Sequence, residues 1–210
     1  MISGGDKLVC NAGQKLIDYA SPVDPNNTEA PYCIDKTEVT QPAFLGASFY
    51  ERAKQAPYEI AEQFIGPKKP MIKIDWQQAR DYCESRGGDL PTGIQWEKAA
   101  RGPSGKIYPI EGDGKELVPG KANYSYEGSP HTLTDVGSFP ASDGLFDMLG
   151  NVWEWTLEPT SFGTKILRGG SWGGNDAWVL RADYYSVDYP DYRSNHVGLR
   201  CVSAPRTPEA

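Results

Sequence analysis

The chain has 210 residues, 39% of them hydrophobic, with 23 Gly, 17 Pro and a formal net charge of −7. That length suits one domain with a full core, or a domain with an arm, and the Gly and Pro content points to short elements joined by many loops. The acidic balance, with no basic run longer than Lys68-Lys69, argues against nucleic acid or an anionic membrane as partner, and no apolar stretch reaches spanning length.

Met1–Gly5 is not a signal peptide, which leaves a cytosolic protein or a mature portion carrying an added start Met. Residues 1–31 read as an irregular arm, with turn residues crowded between Ser21 and Pro31. Residues 32–40 read as a strand anchored by Tyr32, Ile34 and Val39. Thr40 is placed to cap a helix starting near Pro42, in which Phe44, Leu45, Ser48 and Phe49 recur at helical spacing and which fades before Pro57. Asp75 with Gln78 predicts an N-terminal cap, and Trp76, Ala79 and Cys83 then share one face until Gly87-Gly88 ends the helix. Thr92 with Gln95 predicts a second capping box, with Trp96, Ala99 and Ala100 facing inward and Gly102-Pro103 as the stop. Arg80, Glu84, Arg86, Glu97 and Lys98 read as a solvated face. Lys106–Pro140 shows short strands and turns without regular period.

Gly144–Thr156, GLFDMLGNVWEWT, is the densest stretch. It combines Phe146, Trp153 and Trp155 with the carboxylates Asp147 and Glu154. An unpaired buried carboxylate is very costly, so these need a bound cation or a set of backbone N–H groups. Four cysteines are present, Cys10, Cys33, Cys83 and Cys201, with no C-x-x-C pair. With only His131 and His196 beside them, a zinc site has little support.

From Trp172 to His196 the chain reads WGGNDAWVLRADYYSVDYPDYRSNH, with four Tyr, four Asp and no Lys, Glu or Gln. Tyr and Trp set among Ser, Gly, Asn and Asp supply aromatic contact area at small entropic cost, the composition of a binding surface. The candidate ligand-binding residues are Trp172, Asn175, Asp176, Trp178, Asp183, Tyr184, Tyr185, Ser186, Asp188, Tyr189, Asp191, Tyr192, Ser194, Asn195 and His196. A protein, a peptide or a glycan would suit such a surface.

Several of these motifs together resemble one family. Tyr32–Thr40, Asp75–Arg101, Gly144–Thr156, Leu167–Trp172 and Val197–Cys201 follow in order the segments of the formylglycine-generating-enzyme (sulfatase-modifying factor) family, over about residues 30–203. The resemblance implies an α+β fold of the C-type lectin-like, formylglycine-generating-enzyme type, loop-rich, with two central helices and short antiparallel strands. It gives an arm at 1–31, the domain at 32–203 and a tail at 204–210. It also implies a Cys83–Cys201 disulfide, which would leave Cys10 and Cys33 to pair and pin the arm. Two disulfides favour an oxidising, extracytoplasmic compartment, periplasm or cell surface. Four buried thiols in a cytosolic protein are the alternative.

Three further implications concern ligands. The family's calcium ligands fall on Asp147, Gly150, Val152 and Glu154, and calcium's taste for carboxylate and carbonyl oxygen agrees with them. Ala122-Asn123-Tyr124 resembles one half of another calcium site, whose other half has no clear counterpart. Catalytic members hold copper with a cysteine pair placed after a Gly-Gly-Ser-aromatic motif, because soft thiolates select Cu(I). Here the motif is Gly169–Trp172 and the two cysteine positions are Gly174 and Val179, so the expectation is no copper, no catalytic residues and no formylglycine-generating activity.

The C-terminal segment also resembles the variable proteins of diversity-generating retroelements. They use the same lectin-like fold, and their adenine-directed mutagenesis yields Asn, Tyr, Asp, Ser, His and Gly but never Lys, Glu or Gln. Arg168, Trp172, Arg181, Pro190, Arg193, Gly198 and Arg200 would then be framework. Two other readings stay open. One is a non-copper oxidative tailoring enzyme, like relatives in siderophore chromophore maturation, drawing on Asp176, Tyr184, Tyr185 and His196. The other is a structural or assembly subunit.

Overall fold

The computed structural model describes residues 8–21, 30–110 and 113–208. In chain order its elements are β1 (Gln14–Ile17), β2 (Tyr32–Asp35), α1 (Gln41–Leu45), α2 (Phe49–Lys54), α3 (Trp76–Ser85), α4 (Gly93–Arg101), β3 (Trp153–Pro159), β4 (Lys165–Arg168), β5 (Tyr185–Asp188), β6 (Val197–Gly198) and β7 (Val202–Ser203). One sheet has the order β1-β2-β7 and is antiparallel. The other has the order β5-β4-β3-β6, antiparallel except where β6 runs parallel to β3.

The two long helices form where their caps put them. Asp75 accepts from the N–H of Gln78 at 2.8 Å, Thr92 accepts from that of Gln95 at 3.0 Å, and both glutamines reach back to complete capping boxes. Trp76, Ala79 and Cys83, and Trp96, Ala99 and Ala100, are all buried as the periodicity predicts. The Cys10–Cys33 and Cys83–Cys201 disulfides are both formed. The second ties α3 to the segment before β7.

Other expectations need correction. The strand expected over 32–40 stops at Asp35, whose carboxylate there takes the Arg86 guanidinium at 2.8 and 3.1 Å. The helix expected from Pro42 is two short helices, because Gly46 adopts φ 80° and ends α1. The arm holds β1, paired with β2 along its whole length, and Val9 and Arg206 exchange backbone hydrogen bonds, so arm and tail join the sheet's edge. Most of the turn-rich stretch Ser21–Pro31 lies outside the described residues. The face of α3 and α4 read as solvated is partly a contact face. Lys98 is buried near the rings of Tyr19 and Tyr32, while Glu97 bonds both Arg101 and Arg168.

Gly144–Thr156 runs through the centre of the molecule. Asp147, Gly150 and Asn151 all have left-handed φ (53°, 81° and 58°), which folds the stretch back before β3 begins. At Gly150 a Cβ would lie 2.2 Å from the carbonyl oxygen of Asn123, so only glycine permits this approach. Asn151 donates to Glu38 at 2.9 Å and accepts from Asn123 and Thr134, binding three distant segments through one side chain.

The charge partner required by Glu154 is Arg200. Both are buried, and the guanidinium meets the carboxylate at 3.0–3.2 Å while Trp96 Nε1 donates to it at 2.6 Å. Asp147 accepts from the N–H groups of Gly137 and Phe139. A calcium ion on the expected ligands would have to draw Glu154 from Arg200 and Trp96, and Asp147 from its two N–H donors. The two carboxylates as folded are committed to these partners, and that arrangement does not fit the ion.

Glu38, also buried, faces the same cluster, and its Oε2 has no partner among the described residues. Burial, then the charges of Asp147 and Glu154, raises the Glu38 carboxyl well above the ordinary range. Burial likewise raises Asp147 to about 6. A raised carboxyl means that the folded chain holds a proton the unfolded chain releases. The associated stability is complete below the ordinary carboxylate range and is lost as pH rises through these values.

Three outcomes follow. The melting temperature should fall as pH rises from the ordinary carboxylate range through about 6 and above, and Glu38→Gln should flatten that slope and raise the melting temperature at the alkaline end; an unchanged slope would show that Glu38 is ionised in the fold. A chelator should leave the melting temperature in place, and a drop reversed by added calcium would contradict the assignment of Arg200 as counter-ion. Replacing Cys83 and Cys201 by Ala removes a cross-link spanning 118 residues, worth about 4–5 kcal/mol, and should lower the melting temperature by roughly 10 °C or more in calorimetry.

Candidate functional site

Two props carry the Tyr- and Asp-rich segment. The first is a small apolar cluster of Tyr108, Ile110, Ala122, Tyr124 and Leu149, which receives Leu180 from the 3-10 turn Ala177–Leu180. Hydrogen bonds from Ser125 N to Gly174 O at 2.7 Å and from Ala182 N to Ile107 O at 2.9 Å fix that end. The second prop is the approach to α3. Trp76 N donates to Pro190 O, Lys73 N donates to Ser194 O, and Arg193 bonds both Asp75 and the carbonyl of Pro57. Between the props, β5 continues the sheet beside β4.

Strand alternation divides the segment into two faces. Outward, Tyr185, Val187 and Tyr189 are 53%, 43% and 65% exposed, and Trp178 at 50% stands edge-on to Tyr184. Inward, Ser186 and Asp188 line a cavity of about 300 Å³ with Trp153, Leu167, Ser171, Gly173, Gly174, Tyr192, His196 and Val197. His196 stacks on Trp172 with ring centroids 4.4 Å apart. A Cβ at Gly173 would fall 2.4 Å from His196 Cε1, so the glycine makes room for the ring. His196 Nδ1 is buried without a hydrogen-bond partner among the described residues. Burial lowers the imidazole pKa, which keeps the ring neutral at neutral pH.

The remaining predicted residues spread around this centre. Asp176 caps the 3-10 turn by accepting from Trp178 N, and Asn175 and Asp191 are exposed. Arg181 grips Asp183 at 2.7 and 2.8 Å, and this bond holds the Asp183 carboxyl below the usual range. Ser194 accepts from His196 N, and Asn195 accepts Trp172 Nε1 through its backbone carbonyl, so both serve the frame. The sequence reading missed Trp153 and Ser171 as cavity residues. In sequence Trp153 belongs to the aromatic turn, and nothing local marks it as a wall of a site built by residues some forty positions later.

The positions where catalytic relatives would carry thiolates are neighbours here. A Cβ at Gly174 would lie 3.6 Å from Val179 Cγ2. The two positions are thus in contact, while the residues present offer no sulfur, and all four cysteines are in disulfides. The donor set does not fit copper.

Comparison with known proteins agrees with this architecture. The family model for the sulfatase-modifying factor enzyme 1-like domain matches residues 1–205. The chain is 34% identical over 159 residues to the inactive C-alpha-formylglycine-generating enzyme 2 of Mus musculus, an alignment covering 67% of this chain and 51% of that protein. It therefore spans about half the length of that relative. Among solved structures it is similar to Treponema denticola variable protein 1, with a TM-score of 0.66 and 22% identity over 84% of this chain and 85% of that one. It is similar also to PvdO from Pseudomonas aeruginosa, with a TM-score of 0.65 and 20% identity over 90% and 91%. With its two capped helices, paired sheets and Gly-Gly-Ser-Trp turn in the family's order, the chain belongs to the sulfatase-modifying factor enzyme 1-like domain family.

Proposed function

We propose that this domain is a non-catalytic binding module whose ligand surface is the segment 172–196. The observation that carries the reading is a substitution of roles in one place. Where catalytic relatives would hold a thiolate pair, this chain has Gly174 and Val179. Beside them it exposes Trp178, Tyr185, Tyr189 and Tyr192 on a braced frame. Aromatic side chains displayed from a fixed backbone offer contact area with few rotors to immobilise. In its sharpest form the module is a diversified receptor of the retroelement kind, and the likeness to a variable protein supports that version. A protein, peptide or glycan is the ligand class. The two disulfides support an oxidising, extracytoplasmic compartment for this work.

An oxidative tailoring enzyme is the competing reading, supported by the likeness to PvdO and by a cavity holding His196. Against it, among the described residues His196 Nδ1 accepts or donates no hydrogen bond, so no nucleophile–base pair forms through that atom.

Selection of displayed peptides against the immobilised domain tests the binding reading. Binders should depend on the outward aromatics: replacing Trp178, Tyr185 and Tyr189 together by Ala should weaken them roughly a hundredfold or more, while the melting temperature moves by no more than a few degrees. Binders indifferent to all three substitutions would place the recognition surface elsewhere.

A further inference from the structure

We infer that the cavity behind β5 is a seat for one basic side chain, an arginine, presented by a protein or peptide partner. The inference rests on the binding reading and names the chemistry of its central contact. It starts from charge. Among the described residues Asp188 is the one acidic residue lining the cavity, and no lysine or arginine lines it. Asp188 accepts Tyr189 N through Oδ1 at 2.9 Å and has no ion-pair partner among the described residues. Its cross-strand neighbour Lys165 is turned away, with Nζ 3.5 Å from the Trp76 ring centroid and bonded to the carbonyl of Leu157. The arginines of β4 and of the segment itself are also committed, Arg168 to Glu97, Arg181 to Asp183 and Arg193 to Asp75. A carboxylate kept free of the available cations is an attractive site for an incoming one.

The walls select among cations. Trp153 and Tyr192 present aromatic surface, which attracts a guanidinium through its face as well as its charge. The neutral His196 ring offers an acceptor for a guanidinium N–H, and the hydroxyls of Ser171 and Ser186 offer others. Arginine carries five donors in a planar fork and is more weakly hydrated than lysine, so it gains more from such a chamber. A volume of about 300 Å³ sits at the small end of ligand pockets and suits one side chain better than a whole cofactor. The outward aromatics Tyr185, which opens β5, and Tyr189, which follows its last residue, would meet the partner's surface on either side of that anchor.

The test uses the intact domain and three probes: N-acetylarginine methylamide, its neutral counterpart built on citrulline, and methyl glycosides. Binding is read by tryptophan fluorescence and by amide shifts at Ser186–Asp188 and His196. The arginine probe should saturate in the millimolar range, the citrulline probe should bind roughly tenfold more weakly or worse, and salt should weaken the arginine probe alone. Asp188→Asn keeps the acceptor for Tyr189 N, so the fold is retained, and it should abolish the preference for arginine over citrulline. Equal binding of the two probes, or an arginine affinity unmoved by Asp188→Asn, overturns the proposal. Peptides selected on the outward aromatics that lack arginine and survive Asp188→Asn would also overturn it while leaving the binding module intact. Saturable binding of a methyl glycoside in the cavity, without arginine binding, overturns it in favour of a glycan site.

Discussion

The fold depends on one buried ion pair. Arg200 is fully enclosed, and besides Glu154 on β3 it reaches the carbonyls of Asp35 on β2 and Phe146 in the central turn, each at 2.8 Å. Trp96 of α4 closes the other side of the carboxylate. One guanidinium therefore joins both sheets, and through Glu154 a helix, at the point where the central turn enters β3. Removing either charge would strand the other in the core at a cost of about 3–5 kcal/mol, far more than any surface pair is worth. The cluster still carries more acid than base, and burial together with the charges of Asp147 and Glu154 raises the Glu38 carboxyl well above its ordinary range.

The same core sets the position of the cavity. Trp153 pairs with Val197 and Glu154 with Gly198 along the parallel β3–β6 contact, so the ion pair and the cavity wall share adjacent residues of two strands. At Gly198 a Cβ would fall 2.6 Å from the carbonyl oxygen of Met71, which keeps β6 pressed onto the core. His196 arrives two residues earlier, with its backbone carbonyl accepting Trp153 N at 2.8 Å. The floor of the site is thus core structure, and only its rim is loop.

What was legible in the sequence follows the range of the interactions. Helix caps act over three residues, so Asp75 with Gln78 and Thr92 with Gln95 could be read directly. The helix faces, with Trp76 and Trp96 inward, are legible for the same reason. Glu154 announced that it needed a partner, but Arg200 lies 46 residues further on, and no local pattern distinguishes it from a surface arginine. Lys98 misled for the same reason: its ring neighbours Tyr19 and Tyr32 come from the first sheet and the segment after β1. β1 was hidden because Gln14-Lys15-Leu16-Ile17 is short and buries its two ends rather than alternate residues. The outward aromatics were legible from composition, whereas the cavity, assembled from residues between Trp153 and Val197, was not.

The arrangement separates stability from recognition, and that separation bears on what the surface can tolerate. Tyr185, Val187 and Tyr189 point away from the core, so substitution there removes little buried area and leaves the backbone bonds of β5 to β4 in place. The residues that hold the segment down, Leu180, Ala182, Trp172 and Arg193, interleave with those it displays. A surface of this kind can change its side chains while keeping its shape. A catalytic site has the opposite need, since a reacting group must be held in one geometry by neighbours chosen for it. Gly174 and Val179 stand in contact here and carry no such group. On the proposed binding reading, the rim is where side chains can vary while the bonds of β5 to β4 stay in place.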